Sequence, residues 1–204
     1  YGMGELIIIP LLALVVIVLL AVLIAYLVVR RRNVFNAAID VVSMFPETVM
    51  GSILGIALLT TFNQKPLLLT GGAFIMILSY TIRRMPYTIR SSSAILRNIS
   101  PSIEEASINL GASDFKTFFK VTVPMMMSGV ISGAILSWIM IITELSTSII
   151  LYTSKTKTMT LEIYSQIIRG NDGVASAISA ILTFSTIIAL AVFFKVSGKK
   201  EITM

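Results

Sequence analysis

Few side chains in this sequence can do chemistry, and one of them sits where an ionisable group is costly. Glu144 follows Val121–Thr143, a run of 23 residues without a charge, and precedes the mostly apolar Leu145–Leu151. An acid in so apolar a setting faces a cavity, a cation or a partner donor. Two readings stand side by side. Glu144 lines a pathway for a passing substrate, or it is a hydrogen-bonded acid near a helix break, with Ser146, Thr147 and Ser148 satisfying loose backbone groups. Other routes to chemistry are closed or thin. The chain has no histidine and no cysteine, which excludes a serine–histidine triad, a histidine zinc site, thiolate metal sites and disulfides. Met125, Met126 and Met127 suit a deformable packing surface better than a copper site. Glu162 and Asp172 stand among Lys155, Lys157 and Arg169, too scattered for a metal site. No Gly-x4-Gly-Lys-Ser/Thr loop occurs, so no P-loop cradles a nucleotide.

The elements that must position these residues are membrane helices. Of 204 residues, 56% are apolar and 13% charged, against about 25% charged in soluble domains. The mean hydropathy is +0.93. A helix needs about 20 apolar residues to cross a hydrocarbon core. Leu6–Val29, Val121–Thr143 and Gly173–Phe194 qualify, with 24, 23 and 22 charge-free residues. Thr48–Gln64 and Pro66–Ile82 are shorter, at 17 each. Both are expected to span, the first with a broken start near Pro46. The architecture expected is an all-α bundle of about five spans. Gly129, Gly133 and Ala134 predict close helix packing in the fourth, and Trp138 lies inside it as packing.

Orientation follows from charge. With Arg30, Arg31 and Arg32 in the cytoplasm, that side also collects Arg83, Arg84, Arg90, Arg97, Lys116, Lys120, Lys195, Lys199 and Lys200, and the outer side Lys65, Lys155, Lys157 and Arg169. The split is 12 against 4, as the positive-inside rule requires. Topology thus explains the net charge of +6, and no nucleic-acid partner is implied. Arg32, Asn98 and Lys200 are expected inside and Lys157 outside. In the outer loop, Thr153–Asp172, Leu161, Ile163, Ile167 and Ile168 form a short amphipathic piece for the lipid or the bundle.

Residues 87–120 are expected as a cytoplasmic loop, long enough to need a purpose. Within it Ser100-Pro101-Ser102-Ile103-Glu104-Glu105 offers two helix starts. Ser102 and Glu105 fit a capping box, or Ser100 caps with Pro101 at the first helical position. Gly111 suits a left-handed stop. Ser113 or Asp114 then caps a second helix, whose Phe115, Phe118, Phe119 and Thr122 share one face. Lys116 and Lys120 lie on another face, and the helix leads into Pro124.

The spacing of Glu105-Ala106-Ser107, Gly111, Val121, Val123 and Pro124 resembles the signature loop of ABC-importer permeases. Ser107 stands for the family's third small residue, and two valines for Ile and Leu. The resemblance covers nearly the whole chain. It implies one permease domain over 1–204, of the type I importer fold, as a multi-pass protein of the bacterial inner membrane. Glu104, Glu105, Ala106, Ser107, Gly111, Ala112, Asp114 and Pro124 would dock as a coupling element on separate ATP-binding subunits, which use the ATP. This chain would bind no cofactor and catalyse nothing. Its other partners would be a second permease half, fused or separate, a periplasmic or lipid-anchored substrate-binding protein, and membrane lipid. A membrane-embedded enzyme or a non-transporting scaffold are the rival classes.

Three stretches are similar to ferric-iron permeases: Tyr80–Tyr87, Ile95–Gly111 and Thr143–Ser148. The resemblance implies ferric iron as substrate, with polyamine, thiamine or aminoalkylphosphonate as the alternatives. Glu144, Ser146 and Tyr80 become the candidate pathway residues. A ferric ion favours hard oxygen donors, and one carboxylate gives it a transient contact rather than a tight site. Beginning at Tyr1 rather than Met, the sequence suits the C-terminal half of a fused permease, or a fragment.

Overall fold

The structure is a computed structural model describing residues 3–31, 33–64, 68–153 and 156–201, with side chains for 7–31, 33–64, 68–153 and 156–195. Arg32, Lys65, Pro66, Lys155, Lys199 and Lys200 fall outside the described side chains. The described residues fold as helices and connecting turns.

Helix α1, Met3–Arg30, buries Ala13, Ile17, Ala21 and Ala25 and exposes Leu11, Val15, Leu19 and Leu23. The buried set recurs every four residues, so one stripe faces the protein and the rest is apolar surface suited to lipid. α1 packs along α4, Ala73–Asn98, and along α7, Val123–Ile142. α7 and α4 run antiparallel in close contact. Gly133 sits against Thr88 and Gly129 against Ser91 and Ile95, and a Cβ added at Gly133 would lie 2.5 Å from Thr88 Cα. Thr88 Oγ1 and Ser137 Oγ share a hydrogen bond of 2.9 Å, and Ser137 also donates to the Arg84 carbonyl. Trp138 is buried in the same core. The small residues therefore close the interface as expected. Replacing Gly133 by valine is expected to force the two backbones apart, at about 1–3 kcal/mol or more. Gly173→Val meets open space and is expected to leave stability unchanged. Thermal melting of the two variants in detergent checks the contrast.

Two expected spans are corrected. The first divides into α2, Val34–Thr48, and α3, Gly51–Thr61, bent by 109°. Pro46 lies inside the last turn of α2, and the break comes after it, where Val49 and Met50 are extended. α3 has 11 residues, about 16 Å of rise, and cannot cross a bilayer alone. The second expected span ends at Ile82 in sequence, yet α4 continues through Pro86 to Asn98 without a break. Residues 87–98 are therefore helix, not loop, with Thr88, Ile89, Ser92, Ser93 and Leu96 buried. Arg83 and Arg84 also leave the cytoplasmic tally, because both are paired inside the fold. Ten bases against four remain, in the same sense.

By length and apolarity three helices can cross a membrane, Ile7–Arg30, Asp114–Ile142 and Asp172–Lys195, or four with the bent pair taken as one span. α4 carries too many charges to meet that measure. It nonetheless packs along both α1 and α7.

Candidate functional site

At the end of the bundle formed by the C-terminus of α4 and the start of α7, the chain makes a projecting element. Helix α5, Ser102–Asn109, has no buried residue. Its start follows the second of the two readings. The Ser102 N–H donates to Ser100 Oγ at 3.4 Å, the two hydroxyls share a bond of 2.7 Å, and Pro101 is already helical. Its end is a Schellman motif. Gly111 has φ +89°, its N–H donates to the Ile108 carbonyl at 2.9 Å, and the Ala112 N–H donates to the Ser107 carbonyl at 3.2 Å. These two bonds satisfy carbonyls that a helix end leaves open. Ser113 then caps the next helix, accepting from the Lys116 N–H at 3.3 Å.

That next helix is continuous from Asp114 to Ile142. It begins as α6, Asp114–Thr117, and passes through a π-helical turn, Phe118–Thr122, into α7. Pro124 has no N–H to bond back one turn. The wider turn just before it takes up the mismatch, the Val123 N–H reaching the Phe118 carbonyl five residues back. The phenylalanine face divides. Phe118 stacks edge-on with Tyr26 of α1 at 4.8 Å, whereas Phe115 is 75% exposed.

The two acids of α5 have different surroundings. Glu105 is exposed with Ala106, Ile108 and Leu110. Glu104 turns inward, and Arg30 Nε donates to its Oε1 at 2.8 Å. Arg30 Nη2 also donates to the Ile99 carbonyl at 3.0 Å. Ser107 and Thr117 share a bond of 3.0 Å. α5 is thus fixed to α1 and α6 on one side, and shows Glu105, Leu110 and Asp114 on the other. Sequence reading counted Arg30 only as a topological charge. Its pairing with Glu104 spans 74 positions and leaves no local pattern.

The second cluster surrounds Glu144, in the turn after α7. The carboxylate is buried at 4% exposure. Arg83 Nη1 donates to Oε1 at 2.8 Å, Arg84 Nη2 donates to Oε2, and the Thr147 N–H closes onto Oε1 at 3.3 Å. A Cβ at Gly51, the first residue of α3, would collide with Arg83 Nη1. The cluster therefore sits under the break between α2 and α3. Two guanidiniums share one carboxylate, and neither Nε–H finds an acceptor. Tyr80 is also buried. It shares a hydrogen bond with Ser148 Oγ of the short helix α8, Ser148–Leu151, and Ser148 Oγ donates in turn to the Glu144 carbonyl. Of the three candidate pathway residues only Ser146 is exposed. Among the described residues no three acids gather as a metal-binding group.

On the opposite end, α9, Met159–Ile168, buries Leu161 and exposes Ile167 and Ile168. Gln166 and Lys157 donate to Glu162 at 2.7 and 3.1 Å and hold its carboxyl below the usual range. The last helix, α10, Asp172–Glu201, packs on α9 and α7 and presents an apolar surface elsewhere.

Residues 13–198 match the family model of the binding-protein-dependent transport system inner membrane component. The ferric transport system permease protein FbpB of Actinobacillus pleuropneumoniae is 30% identical over 176 residues, covering 86% of this chain and 26% of that protein. The putative 2-aminoethylphosphonate transport system permease protein PhnV of Salmonella paratyphi A is 26% identical over 152 residues, 74% of this chain and 57% of that one. The molybdate/tungstate transport system permease protein WtpB of Pyrococcus abyssi is 30% identical over 128 residues, 62% and 49% of the two. This chain thus spans from about a quarter to somewhat over half of these relatives. A chain from a bacterial ABC transporter that imports the polysaccharide alginate superposes with a TM-score of 0.68 at 16% identity, over 98% of this chain and 79% of that one.

Proposed function

Because the chain belongs to the binding-protein-dependent transport system inner membrane components, a family of multi-pass transport subunits rather than enzymes, we propose that it is a permease half of an ATP-driven importer and that its cargo is ferric iron. The observation that carries the importer reading is α5. It is a short helix, closed at both ends, held against the bundle by Arg30 and Thr117, with an acid and apolar side chains left facing out. A rigid exposed helix of this kind suits docking into a cleft of an ATP-binding subunit, with Glu105, Ala106, Gly111, Ala112 and Asp114 at the contact. Glu104 and Ser107 hold the element in place, and Pro124 marks where it joins the bundle. A second permease half and an external binding protein complete the importer, and ATP is spent by the ATP-binding subunits.

Ferric iron is supported by similarity to two ferric permeases, at 30% and 31% identity. The alternatives are 2-aminoethylphosphonate, molybdate, polyamine and thiamine. In the pathway reading, exposed Ser146 meets the cargo, while Glu144 and Tyr80 set the charge and shape behind it. Reconstituting the complex with its binding protein and measuring ATP-dependent accumulation of each candidate tests the cargo. Uptake of iron above the others is expected, and uptake of another solute in its place would replace iron.

Orientation has its own test. The chain has no cysteine, so Asn98→Cys and Lys157→Cys each give one labelled position. An impermeant thiol reagent on intact cells is expected to label position 157 and spare 98. The reverse pattern would invert the topology.

A further inference from the structure

An open groove of about 460 Å³, with Arg90 and Arg97 exposed at its wall, lies between α2 and the C-terminal half of α4, and no residue of the Glu144 cluster or of α5 lines it. Arg90, Ser93 and Arg97 line one wall, and Asp40 and Met44 line the other. The three α4 residues are spaced i, i+3, i+7 and so share a face. Ser93 is 6% exposed, and its hydroxyl is buried without a hydrogen-bond partner. Among the described residues neither arginine forms an ion pair. Arg90 Nε reaches only Met44 Sδ, at 3.0 Å. Two cations face one acid, with a spare hydroxyl between the cations.

Positive charge near a cytoplasmic helix end has an ordinary explanation in topology. Topology alone requires neither a buried unpaired serine between the arginines nor an acid across the groove from them. Arginine forks and a hydroxyl match the oxygens of a phosphoryl group. A carboxylate across the groove matches an ammonium. The volume falls within the range of small-molecule sites.

We propose that this groove binds a phosphoryl group bearing an ammonium arm, the chemistry of phosphoethanolamine. Arg90, Arg97 and Ser93 hold the phosphoryl oxygens, and Asp40 meets the ammonium. The placement rests on the permease reading above, which puts the C-terminal half of α4 at the cytoplasmic leaflet, Arg97 at its edge and Arg90 about 10 Å further in. At that depth the group can come from a phosphatidylethanolamine headgroup or from a soluble molecule carrying the same moiety.

The test uses the purified complex of the chain with its partner subunits. Retention of phosphatidylethanolamine, phosphatidylglycerol, phosphatidylcholine and diacylglycerol is measured by native mass spectrometry, with soluble phosphoethanolamine and inorganic phosphate as competitors. Phosphatidylethanolamine is expected to be retained over the other three. Arg90→Gln and Arg97→Gln are expected to weaken retention about fivefold each. Asp40→Asn is expected to abolish the preference over phosphatidylglycerol. Phosphatidylethanolamine retained by the wild type, and lost from the arginine variants, assigns the lipid as the source. Phosphoethanolamine bound by the delipidated complex with no lipid preference assigns the soluble source. Equal retention of all four lipids with no phosphoethanolamine binding overturns the site, as does binding unchanged in the double arginine variant. Binding-protein-stimulated ATP hydrolysis is read on the same samples. If the site fails while stimulation persists, the permease reading stands. If the wild type shows no stimulation, that reading falls independently of the site.

Discussion

Glutamine at position 144 is expected to prevent the permease from assembling, not merely to slow its uptake. Among the described residues Glu144 is the acid that ion-pairs with Arg83 and Arg84, and all three side chains are nearly enclosed, at 3%, 11% and 13% exposure. Removing one partner of a buried ion pair costs about 3–5 kcal/mol, because the other charge stays behind uncompensated. Here two guanidiniums would stay behind, beside the first turn of α3, whose N-terminal end is itself positive. Total stabilities are about 5–15 kcal/mol, so the loss is a large share. The amide preserves shape, but its NH2 cannot accept from Arg84 where Oε2 did, and its neutral oxygen holds Arg83 more weakly. Yield and melting temperature of Glu144→Gln in detergent should both fall sharply. The triple variant Arg83→Met/Arg84→Met/Glu144→Gln, which removes every charge, should recover part of the loss. Normal assembly with lost uptake would instead make the carboxylate a contact for a passing cation. Normal assembly with normal uptake would remove Glu144 from both roles.

The second large effect is expected at Gly111. Its φ of +89° is a backbone conformation that L residues rarely adopt, at a cost of about 1–2 kcal/mol, and a β-branched side chain fits it worst. No neighbour lies within 4 Å of an added Cβ, so the penalty is confined to the backbone. Gly111→Val should open the two Schellman bonds and fray α5 and its turn, leaving the membrane helices intact. Melting temperature should change little, while association with the ATP-binding subunit and substrate-stimulated ATP hydrolysis are lost. Gly111→Asn, which tolerates the left-handed region better, should give an intermediate loss. Full stimulated hydrolysis by the valine variant would mean that α5 does not couple.

What could be read from the sequence divides along the range of the interactions. The long charge-free runs of α1, α7 and α10 needed only composition. The ends of α5 needed only local rules, since Ser100, Pro101, Gly111 and Ser113 act within a few residues of themselves. α4 was misjudged because hydropathy counts Arg83 and Arg84 as surface charge. Their partner lies about 60 positions away, at Glu144, and no window along the chain connects them. The bend between α2 and α3 was expected at Pro46 and falls at Val49 and Met50, because a proline in the last turn of a helix can be carried to its end. The inward turn of Glu104 toward Arg30 was hidden for the same reason as the Glu144 cluster. Both depend on which helices become neighbours.

Cross-linking from α5 tests most directly whether this helix is the surface that meets the ATP-binding subunit. Leu110 is 89% exposed beside Gly111, and Ile168 is 67% exposed at the opposite end of the bundle. Leu110→Cys and Ile168→Cys would each be the only cysteine in this chain. With a short photoactivatable thiol reagent in the assembled, ATP-hydrolysing complex, position 110 is predicted to join the ATP-binding subunit and position 168 not to. A complex that transports its substrate yet yields no adduct from position 110, or yields one from position 168, would contradict the account.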